Sequence, residues 1–369
     1  MPIGMGALAI FLLVRGGGGS YTSAGIAVGV ATLSGAVGAP LFGRLVDRYG
    51  QPQILLPSAG LQALALTALA ITAPSAGALL LLLCACYGFA TPPLSAALRA
   101  TWATVLQDRR QLSRAFSLDA TVQETIWIAG PLLTAWLAAA LDPRIPLIVM
   151  AASSIVGVVW FSTSATSRGW RPDPPTARHL MGPLVAGTVR RVLLSIVGLS
   201  FAFGALEFSI AATADANHDS AGPLLAIWAA GSVVGGLGFA ARTWQRPPQS
   251  MLVVLLLCTL VGFSSLLLAQ TPWQLAILLL ISGVFMAPLI ATLYVLIEQL
   301  APRGTVTEAF TWVSTTFMVG IGTGVAAAGL VTDAAGPRAG FVLGIVGGLV
   351  AVLAVVIRHG GLHQGRPIS

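Results

Sequence analysis

A chain of 369 residues in which 56% of side chains are hydrophobic and only 8% charged is too poor in charge for a soluble domain. Its mean hydropathy of +0.89 comes from apolar blocks of roughly twenty residues, the pattern of bilayer-spanning helices and not of β-barrel strands, which alternate over about ten. The net charge of +7 does not point to nucleic acid, because the 19 basic residues, all arginine, lie in the breaks between blocks and not on one soluble face.

In chain order the blocks predict twelve spans, at 2–18, 22–42, 53–73, 77–98, 115–139, 146–166, 192–213, 221–241, 251–269, 274–297, 309–331 and 339–357. The first is short. Its apolar run stops at Arg15 and rises only about 20 Å against a hydrocarbon core of about 30 Å. No basic segment precedes it, which argues against a cleaved signal peptide; either the recorded start is downstream of the true one or this helix thins the membrane locally. Cys84, Cys86 and Cys258 all fall inside apolar runs, so neither a disulfide framework nor a zinc spacing is present. The same holds for metal clusters, nucleotide-binding loops and nucleophile–base pairs, so no cofactor and no enzymatic activity are expected.

Arginine placement sets the orientation. Breaks after even-numbered spans, with the tail, hold 16 arginines: Arg44, Arg48, Arg99, Arg109, Arg110, Arg114, Arg168, Arg171, Arg178, Arg190, Arg191, Arg242, Arg246, Arg303, Arg358 and Arg366. The other breaks hold 3: Arg15, Arg144 and Arg338. The positive-inside rule then puts both termini in the cytoplasm.

The segment 167–191, with helix-breaking prolines in "RPDPP", divides the chain into a six-span unit at 1–166 and another at 192–357, followed by a tail at 358–369. The units resemble each other: "GFATPPLSAAL" (Gly88–Leu98) aligns with "GVFMAPLIATL" (Gly283–Leu293), placing Pro93 over Pro288, and Gly130 falls close to Gly324. Two parallel repeats suit a transporter that rocks one half against the other around a site at mid-membrane.

Between the second and third spans, "GRLVDRYGQP" packs Arg44, Asp47 and Arg48 into one short turn. Gly43 and Gly50 suit close approach and an unusual turn. Gly43, Leu45, Asp47, Arg48 and Gly50, with Leu55 beyond, resemble the signature G-x-L-a-D-r-x-G-r-k-x-x-l of the major facilitator superfamily, found there in the loop between helices 2 and 3. Gln51 and Pro52 stand where the signature has a basic pair. The resemblance implies an all-α membrane protein of twelve helices in two six-helix bundles, with helices 1, 4, 7 and 10 lining a central cavity. It also implies that Asp47 latches the halves on the cytoplasmic side; Arg99, near the inner end of span 4, is its candidate partner.

Two carboxylates lie within spans. Glu207 is preceded by 15 uncharged residues from Val192, which places it about 22 Å from the inner end; burying it costs a few kcal/mol. It is the leading candidate for proton coupling or for binding a cationic substrate. Glu124, in span 5, is the second. Gly130 and Pro131 resemble the Gly-Pro of the helix-5 antiporter motif in the same superfamily, although Ile126, Thr134 and Ala135 replace its other glycines. Tyr87, Thr91, Tyr294 and Trp312 are further candidates to face a cavity.

These features describe a secondary active transporter that moves small organic molecules across the bacterial inner (cell) membrane, by proton-coupled efflux, as a monomer whose partners are its substrate, protons and the lipid bilayer. An importer of sugars or other metabolites is the rival, and a non-transporting receptor or scaffold with the same fold is the alternative of another class.

Overall fold

The computed structural model describes residues 2–72, 77–106, 109–170, 187–242, 244–300 and 306–356. Its regular structure is helical throughout. The helices are α1 (Pro2–Gly16), α2 (Tyr21–Tyr49), α3 (Gln51–Ile71), α4 (Ala78–Phe89), α5 (Leu94–Val105), α6 (Arg109–Ala140), α7 (Ile145–Thr163), α8 (Ala165–Gly169), α9 (Gly187–Ala216), α10 (Ala221–Ala240), α11 (Pro248–Ser265), α12 (Pro272–Gly283), α13 (Met286–Leu300), α14 (Val306–Ala335) and α15 (Pro337–Val356). Among the described residues, ten helical segments are long and apolar enough to cross a membrane, counting Ala78–Trp102 and Pro272–Leu300 each as one; α1 and the Thr125–Ala140 part of α6 are apolar but shorter.

Successive spans run in opposite directions, so the connections gather at two ends. Contacts between Arg15 and Asp215, between Tyr21 and Asp333, and between Arg338 and the Ala269 carbonyl tie the connections of one end together; residues 17–20 lie there. The Gly50 turn lies at the opposite end. Helix α9 is buried along most of its length, against α14 and α15.

The first and second halves of the chain meet chiefly along two crossings near the 17–20 end. In the α2–α14 crossing a Cβ added to Gly25 would fall 2.8 Å from the Gly329 Cα, so the two backbones touch because neither position carries a side chain. In the α6–α10 crossing a Cβ on Gly222 would fall 2.7 Å from the Pro131 carbonyl oxygen.

The repeat expected from the sequence lands on a shared feature. The fourth span breaks at Ala90–Pro93 and its counterpart breaks between Gly283 and Met286, so the aligned Pro93 and Pro288 both sit at the restart of a helix. Proline lacks the N–H an inner turn needs and is tolerated in the first turn. Buried Gln62 of α3 pins the first break: its Nε2 donates to Thr91 Oγ1 at 2.9 Å, and its Oε1 accepts from Ser154 Oγ of α7 at 2.6 Å.

The charged stretch differs from expectation. It is not a loop: α2 continues past 42 to Tyr49 and α3 begins at Gln51, leaving Gly50 as the hinge. Gly50 has φ 98° and ψ 161°, a region essentially reserved for glycine, and its N–H donates to the Val46 carbonyl at 2.8 Å. Gly43 makes no close approach, since a Cβ there would meet nothing within 4 Å. Gln51 is fully buried, which explains why no basic residue stands there. Its Nε2 donates to the Ala97 carbonyl at 3.1 Å and to Thr101 Oγ1 at 3.0 Å, and its Oε1 accepts from Ser167 Oγ at 2.9 Å, tying the start of α3 to α5 and α8. Of the expected linker 167–191, residues 171–186 lie outside the described residues, as does the tail 358–369.

Candidate transport site

Helix α9 carries Glu207 to the surface between the two halves. A cavity of about 20 Å³ lies there, formed by Phe11 of α1, Val28 of α2, Glu207 and Phe208 of α9, Leu225 of α10 and Val325 of α14, with Ala7, Leu8 and Ala211 completing the wall. That volume admits about one water molecule and no organic solute. Glu207 is the one charged side chain of the lining. It is half-buried, and among the described residues its carboxyl has no hydrogen-bond or ion-pair partner. An apolar lining favours an arrangement without net charge: the protonated acid, or the carboxylate neutralised by a cation. A group so placed can exchange one for the other.

The remaining expected site residues are dispersed. Glu124 lies on α6, and its side chain is outside the described residues. Gly130 of α6 packs on α1, a Cβ there falling 2.6 Å from the Gly4 carbonyl carbon, while Pro131 faces Gly222 of the other half; the pair thus serves helix crossings and does not line the cavity. Leu45, Asp47 and Arg48 occupy the last turns of α2, far along the helix from Val28, and the Arg48 guanidinium lies 5.3 Å from the Tyr49 ring centroid. Asp47 and Arg99 are both exposed and both engaged by neighbours, and Arg99 lies close enough to Tyr294 of α13 for its charge to reach the phenol. Tyr87, Thr91, Tyr294 and Trp312 do not line the cavity. Thr91 bonds Gln62 at the helix break, and Tyr294 packs edge-on against Phe310 at 5.6 Å. Among the described residues no group of three or more histidine, cysteine or acidic side chains is placed to hold a metal.

A family model described as Major Facilitator Superfamily matches residues 3–271 and 192–365. The chain belongs to the Major Facilitator Superfamily. Among solved structures the fold is similar to that of the human organic anion transporter MFSD10 (TETRAN), at 16% identity and a TM-score of 0.63, covering 90% of this chain and 83% of that one. It is also similar to a variant of the nucleoside transporter NupG, at 13% identity and a TM-score of 0.68, covering 95% of this chain and 94% of that one. No curated protein sequence matches the chain. The superfamily protein is thus a multi-pass membrane protein with a transporter fold.

Sequence reasoning missed a polar group at the 17–20 end. It used Arg15 to end the first apolar run and to set orientation, and gave Tyr21, Asp215 and Asp333 no role. The available signal was an acidic residue in the C-terminal turn of each of two long helices, a position the helix dipole disfavours.

Proposed function

We propose that this superfamily member is a proton-coupled exporter of small organic, cationic or amphipathic molecules, working by alternating access across the bacterial inner membrane with both termini in the cytoplasm. Glu207, unpartnered in an apolar cavity between the halves, carries the reading. A proton or a cationic group neutralises it equally well, so the two compete for one site, which is the requirement for exchange. Phe11 and Phe208 offer apolar and aromatic surface to the rest of the solute. A cavity whose one charged lining group is a carboxylate disfavours organic anions, the substrates named for one structural relative. Too small for a solute, the cavity must enlarge by movement of one half against the other. Glu124 is assigned a supporting part in coupling, Gly130 and Pro131 the crossings of α6, and Asp47 with Arg99 the cytoplasmic latch. On the arginine distribution the 17–20 end is extracellular, so the conformation described here is closed to the outside.

Ligand-induced thermal shift on purified protein tests this, with tetraphenylphosphonium, a lipophilic aromatic cation, as probe at pH 5.5 and 8. The parent is expected to be stabilised more at the higher pH, where fewer protons compete. Glu207→Gln is expected to bind weakly and equally at both. Equal pH dependence in parent and variant would remove Glu207 from the exchange and leave Glu124 as the candidate.

A further inference from the structure

At the 17–20 end, two carboxylates from the second half of the chain grip the first half. Asp215, in the last turn of α9, receives the Arg15 guanidinium: Nη2 lies 2.8 Å and Nε 2.9 Å from Oδ2. Tyr21 donates its phenolic O–H to the same oxygen at 2.9 Å, and the Arg15 guanidinium lies 3.9 Å from the Tyr21 ring centroid. Nη1 of Arg15 donates to the Gly19 carbonyl at 2.7 Å, fixing the turn between α1 and α2. The pair is only about a quarter exposed, at 26% and 27%, so solvent screens it less than an open surface pair.

The second carboxylate, Asp333 near the end of α14, accepts the first two backbone N–H groups of α2: Tyr21 N donates to Oδ1 at 3.0 Å and Thr22 N to Oδ2 at 2.6 Å. These N–H groups lack partners within their own helix, and the N-terminal dipole favours an anion beside them. Ser20 already caps α2 from within the chain by accepting from Ser23 N at 3.1 Å. Asp333 is therefore an added cap from the opposing half. Both acids stand at the C-terminal turn of their own helix, where an anion is unfavourable; among the described residues each finds its compensation across the interface.

The arrangement reaches the cavity through one side chain. Phe11 lines the cavity, meets Phe208 edge-on at 5.3 Å, and stacks on Tyr21 at 6.3 Å. We propose that Asp215 and Asp333 form a two-point clasp that holds the halves together at the 17–20 end, and that Phe11 couples the clasp to the cavity by buttressing Tyr21. A solute large enough to fill the cavity must displace Phe11, which withdraws support from Tyr21 and loosens both points, because Tyr21 supplies one hydrogen bond to each.

Spin-label distance measurement on the full chain in lipid nanodiscs tests the clasp, with labels at Gly17→Cys and Ser220→Cys and with Cys84, Cys86 and Cys258 replaced by alanine. The unmodified clasp is expected to give a single short distance. Combining Asp215→Asn with Asp333→Asn removes two charge-assisted contacts and is expected to raise the population of a longer distance about ten-fold. Exchanging the pair, Arg15→Asp with Asp215→Arg in otherwise parental protein, is expected to keep the short distance that either single change loses. Phe11→Ala is expected to release it without touching a charge. An unchanged distance in the double asparagine variant, in protein that elutes as folded, would overturn the clasp; an unchanged distance in Phe11→Ala would overturn the coupling. No transported solute is needed, so failure here leaves the reading of Glu207 standing.

Discussion

Gly50 sits at φ 98° and ψ 161°, while Gly43, seven positions earlier in the same charged stretch, sits in a regular helix with open space around it. Alanine at Gly50 is expected to cost about 1–3 kcal/mol, since a Cβ is strained there whatever the surroundings. At Gly43 it is expected to gain about 0.5–1 kcal/mol, because helix interiors favour alanine. Melting temperatures of the two purified variants should move in opposite directions. Gln62→Leu leaves Thr91 and Ser154 without their shared partner and is expected to destabilise by about 1–3 kcal/mol. At this scale Glu207 was legible in the sequence, because a carboxylate inside an apolar run has few explanations. Asp215 and Asp333 were not. They stand at block ends, where an acid reads as solvated, and their partners lie 200 and 312 residues away.

Helix lengths and breaks were partly legible. Hydropathy marks where a helix leaves the bilayer and not where it ends, so α2 was expected to stop at 42 although its charged turns continue to Tyr49. The prolines of the repeat aligned the two spans, but both were expected as continuous helices at 77–98 and 274–297 and both are broken; the glutamine that pins one break carried no pattern. Glycines separate the crossings by function. Gly130 packs α6 on α1 within the first half, so Gly130→Val is expected to act as overpacking, lowering stability by about 1–3 kcal/mol in every conformation. Gly329 packs α14 on α2 across the halves. If that crossing opens during transport, Gly329→Val is expected to leave folding yield near parental and shift the Gly17–Ser220 label distance to longer values. A loss of folding yield equal to that of Gly130→Val would mark the α2–α14 crossing as permanent.

The whole molecule closes at one end around a small acidic cavity, and alternating access requires the other end to close in turn. Asp47→Asn is expected to weaken closure at the Gly50 end and lower flux with folding intact, as read by label distances between Gln53 and Gln245. The proposed orientation rests on the arginines: cysteine introduced at Ser369 or in the 171–186 segment is expected to react with impermeant reagents only from the cytoplasm, and labelling of intact cells at either place would reverse the assignment. The family and the all-helical, membrane-spanning character were legible, the first because the signature carries it and the second because apolar blocks of this length reflect the membrane environment. The closed end was not, because which crossings touch depends on small residues brought together by the fold. The most direct measurement is flux of tetraphenylphosphonium in proteoliposomes under an imposed pH gradient, comparing the parent with Glu207→Gln. The parent is expected to move the cation against its gradient when the proton gradient runs opposite, and the variant to lose that drive while retaining downhill exchange. A variant that transports uphill with the parental pH profile would contradict proton exchange at Glu207.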